Sequence, residues 1–325
     1  MQNFFRLPSL DYSQTFRQAL IEIIREGQEV RPRGMLTKEI APATMVVDPR
    51  KTLYFSKERN LNFAFLLAEN LWYLSGRSDT HFLSFYNSKI KSFSEDGLHD
   101  GAYGPKIVGQ IRYVIETLKN DPDSRQAIVS LWRENPRPSK DVPCTSLFQF
   151  MIRDSKLNMY VTMRSNDIIW GSNYDVPSFA LIQIVMASCL GIPPGQLYHT
   201  GNSLHLYETH FDLAERLALE EVVYKAELPI CMPMSLEEHT QQWDKLGSIE
   251  GCMRNFDDKA FNAVAYHVEK LDIFYQNYAL VFAWYHAMKR KDTMTMNCAC
   301  IELANIKSPF FEWYRQKTEE IKAKK

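Results

Sequence analysis

The chain has 325 residues, 45% hydrophobic and 24% charged, enough to bury a full core as one large domain. A formal net charge of −1 excludes the basic footprint of a duplex nucleic-acid binder, so an anionic ligand must be held by a few placed arginines and the expected partner is a small molecule. Cys144, Cys189, Cys231, Cys252, Cys298 and Cys300 form no CxxC pair, no leader is read at the start, and the longest apolar run, Ser178 to Leu190, is too short to span a bilayer, so the expectation is a cytoplasmic protein with reduced thiols and no membrane contact.

Residues 12–26 carry Phe16, Ala19, Leu20, Ile23 and Ile24 at helical spacing, and Gly27 reads as the stop. The basic loop VRPRG follows, in which Arg31 and Arg33 flank a proline; it reads either as a solvated turn or as a phosphate clamp. Residues 43–55 alternate like a strand with a proline turn, and residues 60–75 form a strongly apolar helix ended by Gly76. Glu69 is the anomaly there. Among Phe65, Leu66, Leu67, Leu71 and Trp72, its carboxyl either faces water on a narrow stripe or points into a polar cavity, where desolvation would raise its pKa.

Residues 79–105 are polar and rich in turns, with three glycines around Tyr103, as in loops that line a site. The helix IVGQIRYVIETLKND comes next, then DPDSRQAIVSLW as a turn and a buried strand with Arg125 at its start, and the proline-rich RENPRPSKDVP leads to Cys144. Pro143-Cys144 heads the alternating strand Leu147, Phe148, Phe150, Ile152; on residue pattern alone this cysteine reads as a small buried hydrophobe as readily as a reactive thiol. Arg164-Ser165-Asn166-Asp167, Gly171, Asp175 and His205-Leu206-Tyr207 follow within residues 142–207. Beyond His210 the chain is mostly helical, and residues 257–291 read as one core helix with a basic end whose clustered aromatics near Phe274 and Trp284 serve packing.

Taken in order and spacing, Pro143-Cys144, Arg164-Ser165-Asn166-Asp167, Gly171 and His205-Leu206-Tyr207 closely resemble the thymidylate synthase family. LAENLWYLSGRSDT resembles its helix bearing a catalytic glutamate, DGAYG its Tyr-Gly turn, DPDSRQAIVSLW its partner-arginine strand and VRPRG its phosphate loop, so the resemblance covers roughly residues 12–215. It implies a mixed α/β (α+β) fold in residues 1–325, a single domain with a divergent helical part from about 215. A large bent mixed sheet would form a homodimer interface, with helices on its other face.

The resemblance further implies that Cys144 adds to C6 of a pyrimidine nucleotide monophosphate, splitting a hard substitution at C5 into easier steps, and that flanking arginines lower its pKa. Arg33, Arg164 and Ser165 would hold the 5′-phosphate, with Arg125 reaching across from a second subunit. His205 and Tyr207 would meet the sugar 3′-hydroxyl, and Asp167 the pterin of the co-substrate 5,10-methylenetetrahydrofolate. Gly171 would permit close backbone approach, Glu69 and Tyr103 would organise water and protons, and no metal is implied.

Departures from the family pattern point to the reaction. Asp175 stands where a thymidylate synthase has Asn; a carboxylate offers acceptors only, which matches the 4-amino group and protonated N3 of a cytosine adduct and repels O4 of uracil. This resembles the deoxycytidylate hydroxymethylases. Lys91 and Asp141 stand near where the family has a folate-stacking Trp and an apolar wall, and polar groups there would admit water to an exocyclic methylene at C5, giving hydroxymethyl instead of methyl. Thr145 replaces a frequent His, Gln126 a frequent second partner Arg, and the charged helical end replaces the short apolar tail that closes over folate.

The leading expectation is therefore a deoxycytidylate 5-hydroxymethyltransferase. Its rivals are a cytidylate hydroxymethylase of nucleoside antibiotic biosynthesis, a methylase of dUMP or dCMP, and a catalytically silent nucleotide- or RNA-binding module.

Overall fold

The computed structural model describes residues 5–7, 10–94, 97–133, 141–221, 224–255 and 267–324. Helix α1 (Tyr12–Glu26) starts where the Asp11 carboxylate accepts the Ser13 N–H at 3.0 Å, and it buries the predicted stripe of Phe16, Ala19, Leu20 and Ile23. Gly27 ends it for lack of room, not for φ: its φ is an ordinary −63°, and a Cβ there would stand 2.3 Å from the Ile23 carbonyl oxygen.

Two mixed sheets follow. The larger runs β1 (Phe5–Leu7), β4 (Ala43–Val47), β9 (Pro194–Gly201), β7 (Lys156–Met163), β6 (Thr145–Arg153) and β5 (Ile128–Ser130) in spatial order. The smaller runs β2 (Gln28–Val30), β3 (Thr37–Ile40), β10 (Leu204–Tyr207) and β8 (Asn166–Asp167). The strand period of two is plain in the large sheet: Phe148, Phe150, Met159, Val161 and Leu197 are buried on one face. Tyr160 and Tyr198 are half-buried on the other, where their rings stack at 4.6 Å.

Helix α5 (Ser172–Leu190) lies across β7 and β9 and is buried along almost its whole length. Gln183, which interrupts its apolar run, is a tie between helix and sheet: its amide donates to the carbonyls of Leu157 at 2.8 Å and Gln196 at 3.2 Å. Helix α2 (Phe63–Leu74) is apolar all round because it is central, packing on α5, on α4 (Gly104–Asn120) and on a C-terminal helix. Asn62 caps it, accepting the Phe65 N–H at 3.1 Å, and Gly76 ends its turn with φ 65°, a left-handed conformation that favours glycine.

After the short α3 (Thr80–Tyr86), the remaining helices are α6 (Phe211–Leu219), α7 (Leu236–Asn255), α8 (Ile273–Arg290), α9 (Thr293–Asn305) and α10 (Phe311–Ala323). The single helix expected over 257–291 is corrected: α8 begins at Ile273, where Asp272 caps it by accepting the Phe274 N–H at 2.9 Å after a turn at 269–272. Residues 256–266 of that stretch lie outside the described residues, as does most of the proline-rich 133–143 segment. The charged end is helical as expected, and it packs inward: Trp313 of α10 meets Phe63 at 5.5 Å and Phe55 at 5.9 Å. No described helix is long and apolar enough to cross a membrane.

Candidate active site

The antiparallel register of β6 and β7 builds the centre of the site. Thr145 pairs with Met163, so the residues just beyond the pair, Cys144 and Arg164, face each other, and the Arg164 N–H donates to the Cys144 carbonyl at 2.9 Å. The guanidinium Nη2 lies 3.8 Å from Cys144 Sγ. Its position is fixed by donation from Nε to the Pro143 carbonyl at 2.9 Å and from Nη2 to the Val142 carbonyl at 3.1 Å.

Around this pair opens a cavity of about 1140 Å³. Glu69, Tyr103, Arg33, Ser165, His205, Tyr207, Asp167, Gly171 and Asp175 all line it with Cys144 and Arg164. Every predicted site residue except Arg125 lines it. Arg125 is exposed just before β5, where its carbonyl accepts from Gln149 at 2.9 Å. The pairing of β10 sets His205 opposite Asp167 on one side and Glu39 on the other, which explains why a His-x-Tyr so far along the chain reaches the same cavity.

Two carboxyls face this space with their proton affinity raised. Burial, the charge of nearby Asp175 and an opposing hydrogen bond from Tyr73 leave Glu69 at about 8. Burial, relieved in part by Asn166 and reinforced by the charge of Asp167, puts Asp175 at about 7. The Asn166 amide donates to Asp175 Oδ2 at 2.8 Å, and its orientation is set by Ser172 Oγ, which donates to Asn166 Oδ1 at 2.5 Å. Glu69 thus points into a polar cavity, as the second of its two readings had it.

The thiol differs from expectation. Burial pushes Cys144 above the usual thiol range, and the charges of Asp175 and Asp141 act in the same direction; Arg164 and Arg33 oppose them without prevailing. Arginines beside a cysteine lower its pKa only when desolvation and neighbouring carboxylates do not outweigh them.

The buried Tyr103 hydroxyl oxygen accepts the Thr145 N–H at 3.0 Å, and its ring stacks on Tyr73 at 5.3 Å. Gly171 heads α5, and a Cβ there would lie 3.0 Å from the Asp167 carbonyl and 3.1 Å from Asp175 Oδ2, so the close approach it permits is to the protein's own acidic groups. Lys91 is exposed and off the cavity; Lys89, two residues earlier on the same short turn of helix, lines it instead. Asp141 does line it, and it also borders a smaller adjoining cavity of about 160 Å³.

Sequence reasoning missed Tyr73, Asn166 as the Asp175 partner, and Trp170. Trp170 is 43% exposed at the cavity edge, with Lys89 at 4.2 Å from its ring and Arg59 at 4.4 Å. Its signal in the sequence was a tryptophan directly before Gly171; Tyr73 stood one helical turn after Glu69.

The pattern of the family described as thymidylate synthase matches residues 14–246. A deoxyuridylate hydroxymethyltransferase of Bacillus phage SP01 is 36% identical over 219 residues, which cover 60% of this chain and 57% of that protein. A deoxyuridylate hydroxymethyltransferase of Pseudomonas phage M6 is 32% identical over 208 residues, covering 60% of this chain and 59% of that protein. The chain thus spans somewhat under two thirds of the curated relatives it matches.

Proposed function

The chain belongs to the thymidylate synthase family, and from that premise we propose that it transfers a one-carbon unit to C5 of a pyrimidine nucleotide monophosphate and releases the hydroxymethyl product. The observation that carries this reading is the strand register that sets Cys144 Sγ 3.8 Å from Arg164 in a cavity shared with the protonatable Glu69 and Asp175. Cys144 adds to C6, which gives C5 carbanion character. Arg33, Arg164 and Ser165 take the phosphate, and His205 and Tyr207 the sugar. Glu69, neutral below about pH 8 and hydrogen-bonded with Tyr73, supplies and relays protons in the cavity it lines together with Tyr103.

The residues fit methylenetetrahydrofolate. Asp167 Oδ1 already accepts the N–H groups of Ile169 at 2.8 Å and Trp170 at 3.0 Å, which leaves the other carboxylate oxygen for a pterin, and the Trp170 face with Lys89 suits an aromatic, anionic co-substrate. When bound, that co-substrate supplies the one-carbon unit. The exposed Arg125 suits a phosphate contact in a second copy of the chain, as in a homodimer with cytoplasmic substrates, and the chain as one domain with a divergent helical part from about 215 accords with α2 packing against α8.

The base is read by Asp175. As a carboxylate it accepts from the 4-amino group and protonated N3 of cytosine, which supports deoxycytidylate as the substrate. A second reading, deoxyuridylate, is favoured by the activity for which both relatives are named and by the raised pKa of Asp175, about 7, since a neutral carboxyl offers one donor and one acceptor, the pattern that O4 and N3–H of uracil require. The sugar residues address the 3′ position, so cytidylate belongs in the same test. Mass spectrometry of products from dCMP, dUMP, CMP and UMP, each with methylenetetrahydrofolate, decides base, sugar and product together. A methyl product would overturn the hydroxymethyl reading, and no turnover with any of the four would overturn catalysis.

A further inference from the structure

We propose that His99 and Asp141 form a dyad that holds and deprotonates the water consumed in the last step, with His99 as the catalytic base and Asp141 as its positioning residue. The inference rests on the hydroxymethyl reading above and names the group that reading lacks. His99 is 8% exposed. Its Nδ1 stands 3.3 Å from Asp141 Oδ2, and the same oxygen accepts the Gly101 N–H at 2.8 Å. Gly101 is needed for that approach, because a Cβ there would lie 2.8 Å from Asp141 Oδ1. The imidazole meets the Trp72 ring edge-on at 5.8 Å, and Trp72 is itself anchored by donation from its indole to the Asp79 carbonyl at 2.9 Å, so the ring plane is set.

The other nitrogen decides the matter. His99 Nε2 is buried and has no hydrogen-bond partner among the described residues. A histidine buried for packing alone has both nitrogens satisfied, since an unpaired buried polar atom keeps its desolvation penalty uncompensated. His99 itself borders a cavity of about 160 Å³ whose wall also includes Asp141, Glu69 and Cys144, and those three residues line the nucleotide cavity as well. A water takes about 30 Å³ of liquid volume, so there is room for it between polar groups. A carboxylate on Nδ1 fixes that nitrogen as N–H and leaves Nε2 as the acceptor, the form a base requires.

The water oxygen bonds to the exocyclic methylene carbon while its proton passes to His99 Nε2. The electron pair of the exocyclic double bond moves into the ring, then re-forms C5=C6 as Cys144 Sγ departs with the electrons of its bond to C6. The product carries the hydroxymethyl group, the thiolate is regenerated, and His99 returns its proton to solvent.

The test separates this step from those before it. The parent, His99→Gln and Asp141→Asn are incubated with C5-tritiated dCMP or dUMP and methylenetetrahydrofolate. Tritium release reports one-carbon transfer to C5, and mass spectrometry reports the hydroxymethyl product. The expected result is tritium release within about threefold of the parent for His99→Gln, with hydroxymethyl product per tritium released reduced tenfold or more, and a smaller reduction for Asp141→Asn. An unchanged ratio in both variants overturns the proposal and leaves the function standing; a parent that releases tritium but yields methyl overturns the function itself. Should His99→Gln lose tritium release as well, the dyad is assigned to folding or substrate binding and the proposal fails. Long-range ¹H–¹⁵N spectra give a readout apart from turnover: the signal lost in His99→Gln should show Nδ1 protonated in the parent and shift in Asp141→Asn, and an Nε2–H tautomer counts against a base.

Discussion

Arg164 Nη2 stands 3.8 Å from Cys144 Sγ, yet the same guanidinium is committed to the Val142 and Pro143 carbonyls, and the thiol remains above its usual range. Burial is the largest influence on the thiol, and Arg164 is the largest opposing it. In nucleotide-free protein, alkylation at Cys144 should therefore be slow near pH 7 and accelerate into the alkaline range. Arg164→Gln should slow it several-fold further at any fixed pH, since each unit of pKa is about a tenfold change in thiolate. Peptide mapping after timed iodoacetamide treatment, with exposed Cys252 as an internal control, measures this. Equal rates at Cys144 and Cys252 at pH 7 would contradict it. Cys144→Ala should abolish turnover and retain nucleotide binding.

Asp175→Asn makes a paired prediction. The substitution restores one donor and one acceptor, so the ratio of cytidylate to uridylate turnover should fall by tenfold or more, consistent with about 1–3 kcal/mol for a mismatched buried edge. It also removes a strained charge. With a folded pKa of about 7 against an ordinary 3.8, the native state binds the extra proton between those values, so stability is greatest below pH 4 and is lost as pH rises through 7. The variant should melt like the parent near pH 4 and higher than it at pH 8, by up to about 2–4 kcal/mol, with cavity water relieving part of the cost. Melts at both pH values check the sign.

Much of this site was legible from residue order, because Cys144, Arg164, Asp167, Gly171 and His205 keep fixed spacings along strands whose register then brings them together. Glu69 announced itself as a charge in an apolar helix, and the strand alternation at Phe148 and Phe150 was visible at a period of two. What could not be read was set by contacts between distant segments. The high thiol pKa depends first on burial and then on carboxylates contributed by α5 and by the residue ahead of Val142. Lys89 and not Lys91 faces the cavity because a short helical turn rotates one of them outward. The break before Ile273 was hidden because the apolar spacing continues across a turn that only Asp272 marks, as a cap.

Glu69→Gln should lower kcat by about 10²–10⁴, the usual worth of a positioned proton-transfer group, with KM for the nucleotide changed much less. The parent's profile should lose activity as pH rises through 8, where the carboxyl ionises, and that limb should vanish in the variant. Its effect on stability has the same sign as at Asp175: the folded pKa is raised from 4.5, so the parent loses stability between about pH 4.5 and 8 and the variant does not. A kcat profile in which the alkaline limb survives in Glu69→Gln would assign that limb to another group.

The end of α7 and the helix α8, past the matched residues, contribute to the site through a buried charge. Glu250 of α7 is fully buried, accepts the Tyr86 hydroxyl at 2.9 Å, and pairs with Arg254 at 3.1 Å; His286 of α8 stands 3.4 Å away. Tyr86 ends α3 immediately before Asn87, Lys89, Ile90 and Phe93, which line the nucleotide cavity. Glu250→Ala leaves the largely buried Arg254 with His81 and the Tyr86 hydroxyl with His286 as their remaining partners, and breaking a buried pair from one side costs about 3–5 kcal/mol. Tyr86→Phe keeps the ring and the ion pair and should cost about 1–3 kcal/mol. Urea midpoints give these losses. Because the displaced segment carries Lys89 and Phe93 and none of the groups on Cys144, KM for methylenetetrahydrofolate should rise in Tyr86→Phe while thiol alkylation stays at the parent rate. A variant that changed alkylation and left KM untouched would place the coupling on the other side of the cavity.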